Sequence, residues 1–205
     1  TGGDVFVVNV AITGSLPVGR AVLRCGAQPG DIVCVTDTLG GSAAGLRVLL
    51  GEHGGDPGLE AHSRALVHMH SRPKPRVREG VAAARAGASA MIDISDGLLA
   101  DLGHIAQASG VAIDVDPALV PVDPHIGPVA EALGFDALEC ALTGGEDYEL
   151  AITIAPDRLS RLRESIEAEK ALLTVIGAVR EGCGVAVAGE PHAGAAGWDH
   201  FREEW

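Results

Sequence analysis

Met91-Ile92-Asp93-Ile94-Ser95-Asp96-Gly97-Leu98-Leu99 changes its period part-way along. Its first half is apolar and rich in Ile, which predicts a short strand over 90–94. Beyond it, Leu98, Leu102 and Ile105 recur on one helix face and Gly110 stands as a C-terminal glycine, so a helix is expected over 97–108. The junction would gather the carboxylates of Asp93 and Asp96, the Ser95 hydroxyl and free N–H groups of a helix start. One reading is capping, since Ser and Asp are favoured before helices. The other is a site. Asp is disfavoured inside a strand, and two acids around one turn, both pointing inward, call for a counter-charge. Magnesium takes one or two carboxylates plus substrate phosphates, and helix-start amides accept phosphate oxygens. The spacing alone leaves both readings open.

The same alternation of strand and helix runs through the chain. Strands are expected at Val5–Ile12, Ile32–Thr36, Val111–Val115, Tyr148–Ile154, Leu172–Val179 and Val185–Val187. Helices are expected at Ala43–Leu50, Glu60–His70, Val77–Ala86, around Val129–Leu133 and at Asp157–Lys170. In Tyr148–Ile154 the residues Tyr148, Leu150, Ile152 and Ile154 would face one way, Glu149, Ala151 and Thr153 the other. Gly51 to Gly58 reads as a loop. Interleaved strands and helices make the class α/β or α+β.

Two further segments invite a chemical reading. In Leu142-Thr143-Gly144-Gly145-Glu146-Asp147-Tyr148, a Gly-Gly turn delivers two acids just before a strand. Either the acids are solvated, or the backbone approaches a ligand that a carboxylate grips. In Leu39-Gly40-Gly41-Ser42-Ala43-Ala44-Gly45, glycines open a helix without the Lys of a P-loop; close packing at Gly45 is the plain account. His68 and His70 are two apart and diverge on a helix, which argues against a zinc pair. His104 reads as structural.

Bulk composition narrows the partners. The 205 residues carry a net charge of −13, which argues against nucleic acid and anionic membranes. Such a chain meets phosphates best through a divalent cation. No apolar run is long enough for a membrane span. Cys25, Cys34, Cys140 and Cys183 form no CxxC pair and read as free or buried thiols in a reducing cytoplasm. The chain starts Thr-Gly-Gly-Asp and enters an apolar run at once, so it reads as a fragment.

Taken together, these blocks resemble the thiamine-monophosphate kinase family. Asp93-Ile94-Ser95-Asp96-Gly97-Leu98 with Asp101-Leu102-Gly103-His104-Ile105 is similar to its DxSDGL…DLGHI block, and Gly144 to Leu150 to its GGEDYEL signature. Gly2-Gly3-Asp4, Gly19-Arg20-Ala21, Leu23-Arg24-Cys25-Gly26-Ala27, Pro29-Gly30-Asp31 and Gly197-Trp198-Asp199-His200-Phe201 follow in family order. The resemblance implies an aminoimidazole ribonucleotide synthetase-like (PurM-like) fold: a C-terminal domain over 19–205 with a mixed sheet flanked by helices. Residues 1–18 would be the remnant of an N-terminal domain, with Val5–Ile12 its last strand. It further implies ATP-dependent phosphorylation of thiamine monophosphate to thiamine diphosphate by a cytoplasmic homodimer. Asp4, Asp93 and Asp96 would bind Mg2+, Ser95 and Arg24 would contact ATP, and Glu146 and Trp198 would contact thiamine monophosphate.

Three departures qualify the match. The family's upstream aspartate-rich block is absent, so the chain alone is expected to have little activity. The stretch after Asp4 is about four residues short. Asp37 and Gly41 stand where the family usually has Gly and Asp. The competing readings are another ATP-using enzyme of the superfamily, of the selenophosphate synthetase or aminoimidazole ribonucleotide synthetase type, and a non-catalytic domain that keeps the fold.

Overall fold

In the computed structural model, residues 8–51 and 57–192 are described. A single mixed sheet organises them. Its strands are β1 (Ile32–Thr36), β2 (Ala90–Asp93), β3 (Ala112–Val115), β4 (Leu150–Ile154), β5 (Leu173–Arg180), β6 (Gly184–Val187) and β7 (Glu190–Pro191). They lie in the order β2-β4-β1-β5-β3-β6-β7. Strand β1 pairs antiparallel with β4 and β5, β2 with β4, and β3 with β5; β3 and β6 run parallel.

The central strands are apolar on both sides because helices cover both faces. Val33 and Val35 of β1 enter one core with Ala151 of β4 and with Leu98, Leu102 and Ile105 of α4 (Leu98–Ser109). Between them, Cys34 turns to the opposite core, with Ile152 and Ile154 of β4, Ala82, Ala83 and Ala86 of α3 (Val77–Ala86), and Leu162 and Ile166 of α7 (Leu159–Ala168). Burial pushes the Cys34 thiol up to about 12, as for an inert core residue. The alternation expected along β4 is present, yet it does not separate core from solvent: Ala151, Ile152, Thr153 and Ile154 are all buried.

A third cluster joins α1 (Gly41–Leu49), α2 (Glu60–Ser71) and α5 (Ile126–Leu133) through Ala44, Val48, Leu66, Ile126 and Val129. Gly45 allows the close crossing of α1 and α2, for a Cβ there would overlap the Leu66 carbonyl. The plain account of this glycine therefore holds.

Elements depart from the sequence reading in four places. Residues 8–12, the described part of the expected first strand, lie outside the sheet; Val8, Val10 and Ile12 are exposed. A strand forms only where another chain segment satisfies its N–H and C=O groups, and among the described residues no sheet edge meets this one. Helix α6 (Ala137–Thr143) went unread, although Asp136 marks its start by accepting the N–H groups of Leu138 and Glu139. Strand β4 begins at Leu150, because Tyr148 has φ 54 and Glu146 φ 68, both left-handed. Helix α4 begins at Leu98, with Gly97 at its cap.

Candidate active site

The two acidic motifs meet although 50 residues separate them in the chain. Ile94 N–H donates to the Glu149 carbonyl at 2.8 Å, Tyr148 N–H to the Ile94 carbonyl at 2.9 Å, and Glu146 N–H to the Ser95 carbonyl at 2.9 Å. This ladder continues the β2–β4 pairing past the sheet's end and lays the Gly144–Glu149 loop along the Asp93–Asp96 turn. Glycines make the approach possible. A Cβ on Gly145 would lie 2.5 Å from the Ser95 carbonyl, and one on Gly97, at φ 117, 2.6 Å from that of Thr143.

Asp93, Ser95, Asp96 and Glu146 thus form one patch. Asp93 is exposed, against the inward orientation expected for it, as the last residue of a strand at the sheet's edge. Glu146 is exposed and accepts the Tyr148 hydroxyl at 3.2 Å. The Tyr148 pKa is raised, first by burial, then by Glu146, and further by Asp93 and Asp96, so all three carboxylates bear on one phenol. None of the ion pairs among the described residues involves these three acids. Exposed at Asp93 and Glu146 and half-buried at Ser95 and Asp96, all-oxygen and without a cationic side-chain partner among the described residues, the donor set fits a hard divalent cation. Arg24 is exposed on the segment whose Leu23 carbonyl accepts the Met91 N–H at 3.0 Å, which puts it beside β2. Asp4 and Trp198 lie outside the described residues.

Neither Ser95 nor Asp96 caps α4. Their own N–H groups, expected to stand free for a phosphate, both donate to Oδ2 of Asp101 at 3.0 Å. Ligand atoms of Asp96, Asp101 and His104 also lie within 4.8 Å of one another. Burial raises the Asp101 pKa, against the two backbone hydrogen bonds that lower it.

A second constellation lies at the start of α1, and sequence reading missed most of it. Asp147, for which the sequence left a solvated and a ligand-facing reading open, instead accepts the N–H groups of Gly40 at 2.7 Å and Ser42 at 3.1 Å. Its burial outweighs these bonds and pushes it up to about 6. Nearby, the buried Arg76 guanidinium meets Asp37, Glu149 at 2.5 Å and Glu79 at 3.3 Å. Thr36 donates its hydroxyl to Glu149 at 2.5 Å. Burial holds Glu149 up at about 7 despite both donors; three carboxylates share one guanidinium. Asp37, Ser42, Met69, Arg76, Asp147 and Glu149 line a cleft of about 370 Å³. Ser42, on its wall, has its Oγ 2.9 Å from His70 Nδ1.

The loop that departs from the family pattern now has a physical account. Asp37 has φ 41, a left-handed conformation that suits the expected Gly. Its side chain compensates through the Arg76 pair and by accepting the Leu172 N–H at 2.9 Å. At Gly41, a Cβ would lie 2.5 Å from Met69 Sδ, so the family's usual Asp would require Met69 to move.

Fold and site define an α/β domain with an exposed carboxylate turn suited to a cation-bridged anionic ligand. A family model described as AIR synthase related protein, C-terminal domain, matches residues 28–190, and the chain belongs to that family. Its relatives are those the motifs led one to expect. A thiamine-monophosphate kinase of Salmonella typhimurium is 46% identical over 159 residues, 75% of this chain and 47% of that protein. The crystal structure of thiamine-monophosphate kinase from Stenotrophomonas maltophilia has a TM-score of 0.77 at 41% identity, covering 86% of this chain and 56% of that one. The solved structure of AaThiL complexed with AMPPCP and TMP has a TM-score of 0.76 at 39% identity, covering 88% and 54%. The chain spans about half the length of the curated relatives it matches.

Proposed function

We propose that this protein serves the ATP-dependent phosphorylation of thiamine monophosphate to thiamine diphosphate. The observation that carries the reading is the joining of the Asp93–Asp96 turn to the Gly144–Glu149 loop in a chain whose relatives are thiamine-monophosphate kinases. AaThiL was solved with AMPPCP and TMP, a nucleotide and a monophosphate together, which suits direct transfer between them. A phosphate oxygen of thiamine monophosphate attacks the γ-phosphorus of ATP; the new P–O bond forms as the bond to ADP breaks. Such a reaction depends on positioning and charge neutralisation, with no need for a covalent intermediate.

In this reading Asp93 and Asp96, with Asp4, hold Mg2+, which when bound neutralises phosphate charge. The Ser95 hydroxyl and the Arg24 guanidinium bind ATP. Glu146 faces the cationic end of thiamine, and Trp198 adds an aromatic face to it. Residues 1–18, with exposed Val8, Val10, Ile12 and Val18, belong to a preceding domain that completes the enzyme as a homodimer. Four free cysteines agree with a cytoplasmic setting, and no helix among the described residues is long and apolar enough to cross a membrane.

The test is calorimetric titration of the chain with thiamine monophosphate and, separately, with ATP and Mg2+, together with an assay of thiamine diphosphate formation by the enzyme that contains it. Asp93→Asn and Asp96→Asn are expected to lower turnover at least a hundredfold. Nucleotide binding without any response to thiamine monophosphate would move the protein to another ATP-using branch of the superfamily. Unchanged turnover in both variants would remove the carboxylates from the reaction.

A further inference from the structure

The Asp93–Asp96 turn is held from two sides. From the sheet side, the Glu146–Glu149 segment takes the Ile94 and Ser95 carbonyls and the Ile94 N–H. From the helix side, Asp101 alone among the described residues engages the two remaining amides. Asp101 is 1% exposed, and its Oδ2 alone accepts both Ser95 N–H and Asp96 N–H, six and five residues back along the chain. Asp101 N–H in turn donates to the Gly97 carbonyl at 2.9 Å, so the clamp is anchored in the first turn of α4. A residue that merely capped the helix would accept from α4's own first amides. Asp101 instead reaches back to the residues that carry the site.

We propose that Asp101 is a positioning residue. Its carboxylate fixes the backbone of Ser95 and Asp96 so that the side chains of Asp93 and Asp96 stand ready for a divalent cation. By filling the amide pair with the protein's own anion, it makes a phosphate reach this turn through that cation. The inference rests on the metal-site reading above and adds to it a residue that need touch neither metal nor substrate. Supporting groups of this kind orient the groups that do bind, and their removal commonly costs about 10–100-fold in metal affinity. Geometry and charge make different demands here. Asn keeps the length and loses the charge, whereas Glu keeps the charge but has an extra methylene that a site 1% exposed does not admit without moving the turn.

The experiment uses Mn2+ as the probe and the 205-residue chain labelled with ¹⁵N. In the wild type, Ser95 and Asp96 amides are expected to exchange slowly with solvent in the absence of metal, and Mn2+ to broaden the signals of residues 93–96 selectively. Asp101→Asn and Asp101→Glu are each expected to speed exchange of those two amides at least about tenfold and to raise the Mn2+ dissociation constant about tenfold. The amides of β1, in the core, should keep their wild-type exchange. Wild-type Mn2+ affinity in Asp101→Glu would overturn the positioning role, because charge alone would then suffice. Fast exchange of Ser95 and Asp96 in the wild type would overturn it without any variant, so a variant that failed to fold would not shield the idea. Slow exchange with no Mn2+ broadening near 93–96 would instead overturn the metal-site reading, and the proposal with it.

Discussion

Asp101 and Asp147 are buried or nearly so, and each accepts two backbone N–H groups, but they work across very different distances. Asp101 closes on residues five and six positions away, within one strand–helix junction. Asp147 closes on Gly40 and Ser42, 107 and 105 positions away, and fastens α1 to the loop before β4. Near Asp147 the contacts that tie the cleft to the sheet are of this second kind: Arg76 to Glu149 spans 73 residues and Thr36 to Glu149 spans 113, while the Arg76–Glu79 pair at 3.3 Å stays within one helix start. The acidic turn therefore depends on local geometry backed by one ladder, whereas the cleft exists only once the whole sheet has formed. Damage to the cleft should register as lost stability, and damage to the turn as lost binding.

Removing Arg76 tests the difference most severely. Arg76→Ala leaves Asp37, Glu79 and Glu149 without their shared cation in a buried setting, and breaking such a group typically costs about 3–5 kcal/mol. Urea unfolding at pH 8 measures it. A loss under about 1 kcal/mol would mean that the cleft's charges relax into water and that the sheet does not depend on them.

Protonation probes the same region through Asp147. The Asp147 carboxyl stands at about 6 in the folded chain against 3.8 ordinarily. Between those pH values the folded state holds a proton that the unfolded state has released, so this group's contribution to stability falls as pH rises through the window. Asp147→Asn abolishes that dependence. The stability of the variant relative to the wild type should increase by about 3 kcal/mol from pH 4 to pH 7, at about 1.4 kcal/mol per pH unit. Parallel pH–stability curves for the two proteins would contradict the burial of this charge.

Gly45→Ala sharpens the account of the α1–α2 crossing. The added methyl meets the Leu66 backbone carbonyl, which cannot swing aside, so a loss of about 2 kcal/mol is expected despite the better helix propensity of Ala. An unchanged melting temperature would show that the helices slide apart at no cost. The smallest effect belongs to the turn itself. Asp93 is exposed, so Asp93→Asn should change stability by less than about 0.5 kcal/mol while its Mn2+ affinity drops. A larger stability loss would make Asp93 a structural residue and erase the contrast between the two regions.

Much of this division was legible beforehand. Strands β1 and β5 and helices α2, α3 and α4 fall within a residue or two of their expected limits, since each carries an apolar period long enough to exclude the other choice. Residues Asp93, Asp96 and Glu146 stood out because acids near glycines at element ends are unusual in either regular structure, and Ser95 because its hydroxyl lies between two of them. What escaped reading did so for separate physical reasons. Helix α6 is only seven residues long, too short for periodicity to register, and its Asp136 cap was the one available signal. Tyr148 and Glu146 look like strand residues by type, yet the loop holds them at positive φ because their amides must reach Ile94 and Ser95. Asp101 could have been found from its place in the first helical turn, five residues after the acidic pair.

The sequence by itself determined the order of strands and helices, the family, and the residue types at the acidic turn, because side-chain period, capping and glycine placement act within a few residues of the chain. Only the tertiary structure decided which strands neighbour which, that β4 is buried on both faces, and that Asp147, Glu149 and Arg76 share one cleft with Asp37. Those pairings join residues far apart in the chain: Arg76 to Glu149 spans 73 positions and Gly40 to Asp147 spans 107. Nothing in the local chemistry of either partner records the other until the antiparallel register of β1 with β4 brings them into contact.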